Sequence, residues 1–342
     1  SLLRGFSAPV RLTADQSESD LLTLMSGDDD DFVAWDAAQS LLARAIEALD
    51  LTGQEAKIHN ALLEAIERVL TGPMDAAMKA LTLCLPSEEY LADRAAQRGL
   101  VDMTDIHLRR QAVKRLLGQA LDSQWRAVSS QSVVGSPYSA SAHEIGVRSL
   151  RHLALDYLLA AQSASLTQAE QLLESADNLT DRLAALRWIA QYANGAQREQ
   201  TLANFYDRWK RESLVVNQWF TVQATRPDIS CVESVRELLN HDAFDWRNPN
   251  KLRALVGAFS AANPLAFHRV DGAGYQLLGD VITRIQSSNP QIAARMLAPL
   301  TRWRRYAVGQ DAMKAELERI AGIDPLPKDV FEVVNRSLAE PD

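Results

Sequence analysis

The sequence predicts an all-α protein, an irregular stack of antiparallel helical hairpins forming an armadillo- or HEAT-like superhelix. Three observations carry this. Apolar residues recur at three- and four-residue steps in segment after segment beyond residue 16, the spacing of one helix face. Each segment is closed by Asn, Gly, Pro or a polar cluster, so connections are short and neighbours run antiparallel. No convincing β pattern interrupts the run. There is also no fixed-period consensus, so any repeat array is irregular.

Taken in order, "DDDDFVAWDAAQSLLARAIEALD" (28–50) opens with acids that suit a helix N-terminus. "GQEAKIHNALLEAIERVLTG" (53–72) follows between glycines. Two longer helices, 105–128 and 143–164, flank "SSQSVVGSPYSAS" (129–141), the clearest loop in the chain. From Leu166 shorter helices succeed one another: 167–178, 179–194, 196–213, 216–226 and 231–241. Three Asn-Pro pairs come next, at Asn248-Pro249, Asn263-Pro264 and Asn289-Pro290. Asn caps free amides at a helix start and Pro fits the first turn, where its missing N–H has no partner, so each pair predicts a helix start. "DGAGYQLLGD" (271–280) reads as a turn opening a helix, and 311–322 and 327–340 close the chain. The exception is "SLLRGFSAPVRL" (1–12), with Gly and Pro inside an apolar stretch and no helical period; it reads as an extended segment without a sheet.

The bulk properties narrow the function. The chain has 342 residues, 47% apolar and 23% charged, enough for a sizeable core. A net charge of −8 argues against a nucleic-acid partner, which needs a basic footprint. No run of eighteen apolar residues exists to span a membrane, and the N-terminus lacks a signal-peptide pattern. Cys84 and Cys231 lie far apart beside apolar residues and read as buried reduced thiols, placing the chain in the cytoplasm.

The search for chemistry gives little. Zinc peptidases carry His-Glu-x-x-His on a helix, because two imidazoles four residues apart share one face. His143-Glu144 begins such a motif, but Val147 stands where the second His would be, and the pair reads as an exposed first turn. No nucleophile elbow, Walker loop or dinucleotide fingerprint occurs in a strand–turn–helix setting. The seven tryptophans read as helix-packing filler. The arginines beside the Asn-Pro helices are more informative. Leu252, Leu255, Val256 and Phe259 form one buried stripe, with Arg253 a quarter-turn off it. Ile292, Met296, Leu300 and Trp303 form another, with Gln291 in the first turn and Arg295 at the margin. Arg302, Arg304 and Arg305 close that same helix as cations complementing its dipole.

"SLLRGFSAPV", "FVAWDAAQSLLARAI", "FYDRWKRESLVVNQWFTVQA" and the run from "NPNKLRALVGAFSAANPLAFH" to "SSNPQIAARMLAPLTRWRRY" closely resemble the C-terminal part of bacterial aminopeptidase N, of the M1 family of zinc metallopeptidases. The likeness is strongest from Phe205 to Tyr306 and weaker between Thr52 and Ala140. It implies that residues 1–12 are a remnant strand of a preceding β-sandwich domain and 13–342 the C-terminal α-helical domain. The zinc ligands and catalytic Glu would belong to a catalytic domain upstream, so the resemblance implies no cofactor and no catalytic residue here. The domain would cap the catalytic domain and enclose its peptide chamber, inactive alone. Arg253, Gln291 and Arg295 would face the substrate, binding rather than breaking bonds. The expected partners are the catalytic and β-sandwich domains and a peptide, with weak self-association of the isolated piece. The alternative is an independent α-solenoid adaptor binding peptides or proteins.

Overall fold

Helix starts in this chain are built by short polar side chains. In the computed structural model, which describes residues 4–6, 14–52, 57–130 and 138–339, Ser17 and Asp20 form a reciprocal capping box ahead of helix Glu18–Gly27. Asp30, Asp75, Ser141 and Asn194 each accept a backbone N–H at the start of a following helix. All three Asn-Pro pairs behave as the sequence predicts. Asn248 accepts from Asn250, Asn263 from Ala266 and Asn289 from Ile292, with Pro249, Pro264 and Pro290 opening the helices. The described residues are all-helical apart from one isolated bridge between Val101 and Tyr306. No described helix is long and apolar enough to cross a membrane. Of the 1–12 segment only Arg4–Phe6 is described, as a 3-10 turn; the rest of the expected strand lies outside the described residues.

Two compact units emerge. The first comprises residues 1–91 and 108–188. Its spine is helix Ala142–Ala160, packed on Ala76–Leu83 and Asp122–Ser129. Glycine makes that packing possible. A Cβ on Gly146 would stand 2.8 Å from the Ala77 nitrogen, and one on Gly118 only 2.3 Å from the Tyr157 carbonyl. Tyr157 is buried, stacks on Trp125 at 4.6 Å and donates its hydroxyl to the Leu83 carbonyl at 2.7 Å. A polar knot sits beside this core. Arg151 grips both oxygens of Asp181 at 3.0 Å, and His152 Nε2 meets the same carboxylate at 2.6 Å. His143 and Glu144 lie in the spine helix's first turn, His143 exposed, as expected.

The second unit comprises residues 92–107 and 189–342. Helix Ser213–Ala224 packs along the segment that runs from Pro249 through Ala262. Leu252, Leu255, Val256 and Phe259 are fully buried there, the stripe their spacing predicts. Gly272, at φ 71, caps helix Ala273–Ile285 in a left-handed conformation that suits glycine.

Several expectations are corrected. The 105–128 helix is two, Met103–Ala120 and Asp122–Ser129. The helix after Pro290 ends at Met296; Ala298–Thr301 and a 3-10 turn, Trp303–Arg305, follow. Pro299 explains the break, since it has no N–H to give and its ring clashes with the carbonyl four residues back. Arg304 therefore serves another helix, donating to the Leu338 and Ala339 carbonyls at 3.4 and 2.6 Å at the end of Lys328–Leu338. Cys231 is buried, but Cys84 is exposed. It sits in extended backbone after Leu83, where successive side chains point to opposite sides, so Leu83 and Leu85 turn inward and Cys84 outward. Trp125, Trp188 and Trp219 are core filler, whereas Trp35, Trp209, Trp246 and Trp303 are only half-buried.

Asn263 is 1% exposed and its carboxamide donates to the Ala224 and Arg226 carbonyls at 3.0 and 2.6 Å while capping its own helix. Asn263→Ala removes the cap and one donor from each of two buried carbonyls, which keep the Asp228 N–H and the Cys231 thiol, so it should cost about 2 kcal/mol. Asn248→Ala, at a half-exposed cap, should cost about 1 kcal/mol. Urea unfolding of the two variants checks the order.

Candidate functional site

The three residues singled out by sequence lie on two Asn-Pro helices, and all are exposed. Arg253 starts a π turn, Arg253–Gly257, embedded between Pro249–Leu252 and Ala258–Ala262. The Ala258 N–H reaches back five residues to the Arg253 carbonyl. The Thr221 hydroxyl, from the neighbouring helix, donates at 3.0 Å to the Ala254 carbonyl that Ala258 would otherwise serve. Spacing could not reveal this turn, because its buried stripe still reads as an ordinary helix. The Arg253 guanidinium is held by the Asn250 side-chain oxygen at 3.1 Å.

Gln291 and Arg295 are i,i+4 neighbours on helix Pro290–Met296, sharing a face. Neither makes a side-chain hydrogen bond or ion pair with any described residue, so both polar groups are uncommitted. Helix Pro290–Met296 packs on Ala273–Ile285, which packs on Cys231–Leu238, which touches the π turn. The structure thus brings Gln291 and Arg295 together and sets Arg253 two helices away. Sequence reasoning missed one neighbouring pair: Arg284, on Ala273–Ile285, stands 3.8 Å over the Trp246 ring, just ahead of Asn248.

The three side chains offer one carboxamide and two guanidinium groups. Among the described residues no group of three or more His, Cys, Asp or Glu side chains is gathered to hold a metal. His268 is a core histidine: its Nδ1 lies 2.9 Å from the Tyr275 hydroxyl and its ring 4.5 Å from Tyr306.

Comparison with known proteins assigns the chain. Residues 18–339 match the family model described as a domain of unknown function (DUF3458_C) ARM repeats. The chain belongs to this ARM-repeat family. It is 36% identical over 343 residues to aminopeptidase N of Haemophilus influenzae and 37% over 346 residues to that of Escherichia coli K12. Each alignment covers 99% of this chain but 39% of the relative. A crystal structure of Legionella pneumophila aminopeptidase A in complex with aspartic acid superimposes with a TM-score of 0.87 at 27% identity, covering 98% of this chain and 40% of that one. The chain thus spans about two fifths of the length of these relatives and matches the C-terminal portion of aminopeptidase N.

Two measurements follow from this geometry. Thr221→Val leaves the Ala254 carbonyl without its hydroxyl donor, and urea unfolding should show a loss of about 1–2 kcal/mol. Burial, with the nearby Arg305 guanidinium, pulls the His268 pKa from 6.5 down to about 4, against an opposing pull from Asp102. The folded value lies below the unfolded one, so the neutral ring's contribution is complete above pH 6.5 and is lost as pH falls through 4. Stability should drop by about 3 kcal/mol over that window. His268→Gln should flatten the drop in unfolding curves recorded from pH 7 to 4.

Proposed function

We propose that this chain is the non-catalytic helical domain of a zinc aminopeptidase that removes N-terminal residues from peptides. It covers the catalytic domain, encloses the substrate chamber and is inactive alone. The observation that carries this reading is the match of 99% of the chain to only 39% of the aminopeptidase N relatives.

Within that enzyme the exposed polar groups would guide the peptide. Arg253, steadied by Asn250, offers a fixed cation to a carboxylate. Gln291 and Arg295, with no side-chain partner among the described residues, offer an amide and a second cation one turn apart. The enclosing wall would limit water and exclude folded proteins. Exposed Leu100, Leu214 and Val270 supply apolar surface for the catalytic and β-sandwich domains, and would drive weak self-association of the isolated chain. The two free thiols suit a reducing, cytoplasmic setting.

The test is complementation. The zinc-bearing upstream portion of the enzyme is assayed on an alanyl anilide and a tripeptide, with and without this chain. Restored hydrolysis on mixing supports the reading. Unchanged hydrolysis would overturn it in favour of an independent adaptor, and zinc-dependent turnover by the chain alone would overturn it too. In the active mixture Arg253→Ala or Arg295→Ala should raise KM for the tripeptide about tenfold while leaving kcat nearly unchanged.

A further inference from the structure

Arg284 is an exposed side chain held in place without a hydrogen bond. Its guanidinium carbon stands 3.8 Å from the centre of the half-buried Trp246 ring, in contact with the ring face. It makes no side-chain hydrogen bond or ion pair with any described residue. Stacking occupies the face of a guanidinium and leaves its in-plane N–H donors open. The carboxylate beside Trp246 in sequence, Asp245, is taken up by the Arg247 backbone N–H and guanidinium at 3.0 and 3.3 Å. Trp246 is itself held from below. The buried Phe244 meets it edge-on at 5.2 Å, and Phe244 meets the fully buried Phe220 edge-on at 5.9 Å. A train of rings thus runs from the core to the surface and fixes the platform on which Arg284 rests.

This contact joins the two helix starts that carry the candidate binding residues. Trp246 lies just ahead of Asn248, which opens the helix leading to Asn250 and Arg253. Arg284 lies in the last turn of Ala273–Ile285, and the Asn289 N–H donates to the Ile285 carbonyl at 2.8 Å, so Pro290–Met296, with Gln291 and Arg295, begins directly beyond it. Arg284 therefore sits at the junction of the two starts, all of it within the second unit. The charge there is one-sided. In a chain of net charge −8, the two stretches that meet at this contact hold no Asp or Glu: residues 246–270 carry four Lys or Arg, and residues 281–310 carry five. A patch without carboxylates on an acidic chain presents a local positive potential to an anion.

We propose that Arg284, held by Trp246, receives the C-terminal carboxylate of a peptide. This deepens the chamber reading and rests on it for the identity of the ligand. The planar fork of a guanidinium matches a carboxylate through two parallel hydrogen bonds. A side chain already fixed against a ring gives up less freedom on binding than one that sweeps through water. Trp246 is the positioning residue, acting only through Arg284. Arg253 and Arg295, on the helices to either side, add to the attraction without sharing this support.

Two measurements test this. First, the isotope-labelled chain by itself is titrated with trialanine and with trialanine amide, and the Nε–H signal of Arg284, assigned by its loss in Arg284→Lys, is followed by NMR. The expected result is a saturable shift with trialanine, with the amide binding about tenfold more weakly, and weaker trialanine binding in Trp246→Leu. Second, in the active mixture with the upstream portion, Arg284→Gln should raise KM for trialanine about tenfold, to the level of the amide, with kcat nearly unchanged. Trp246→Leu should raise it about threefold, and Arg284→Lys should recover only part of the loss. Equal shifts with both peptides, or no shift, overturn the proposal, as does an equal rise in KM for both. Hydrolysis of the alanyl anilide, which has no terminal carboxylate, reports on the chamber reading separately. If mixing restores none while Arg284 still answers to trialanine, that reading fails and the carboxylate site stands. If mixing restores it and Arg284 shows no preference for trialanine, the site fails and the reading stands.

Discussion

The second unit hangs on one buried carboxamide. Asn263 closes the helix before it through its own N–H to the Phe259 carbonyl, and opens the next by accepting from Ala266. With its amide group it also takes up the last carbonyls of helix Ser213–Ala224 and the loop beyond. Helix termini leave backbone groups unsatisfied, and burying them without partners is expensive. One side chain answers that need for three segments at once. On the same helix pair Thr221 reaches the Ala254 carbonyl, beside the widened turn from which Arg253 projects.

The first unit is organised by close approach instead. Its spine helix sits so near its neighbours that Gly118 and Gly146 admit no side chain, and Tyr157 uses that proximity to reach the Leu83 carbonyl. The buried Asp181, held by Arg151, His152 and Asn178, has its carboxyl well below the usual range despite burial, because three donors favour the charged form. Polar satisfaction is thorough around that knot. In the second unit the same accounting leaves several buried side-chain atoms without a hydrogen-bond partner among the described residues, among them Asn217 Oδ1, Gln286 Oε1 and the Trp209 indole nitrogen.

Much of this was legible from residues alone. Helical period, the three Asn-Pro starts and the Leu252–Phe259 stripe depend on local capping chemistry and on the side chain's own hydrophobicity, and all three stand in the structure. The break after Met296 was written at Pro299 and could have been read there. The exposure of Cys84 was harder, since apolar neighbours in sequence bury it in a helix but not in an extended cap.

What the sequence by itself determined is therefore the helical class, the helix starts, the placement of Arg253, Gln291 and Arg295 at helix margins, and the likeness to aminopeptidase N. Each rests on interactions within a few residues or on identity along the chain. Only the tertiary structure decided the π turn at Arg253 and the transfer of Arg304 to another helix's end. Those outcomes depend on which carbonyls and charges distant segments bring together, and a one-dimensional spacing carries no record of them.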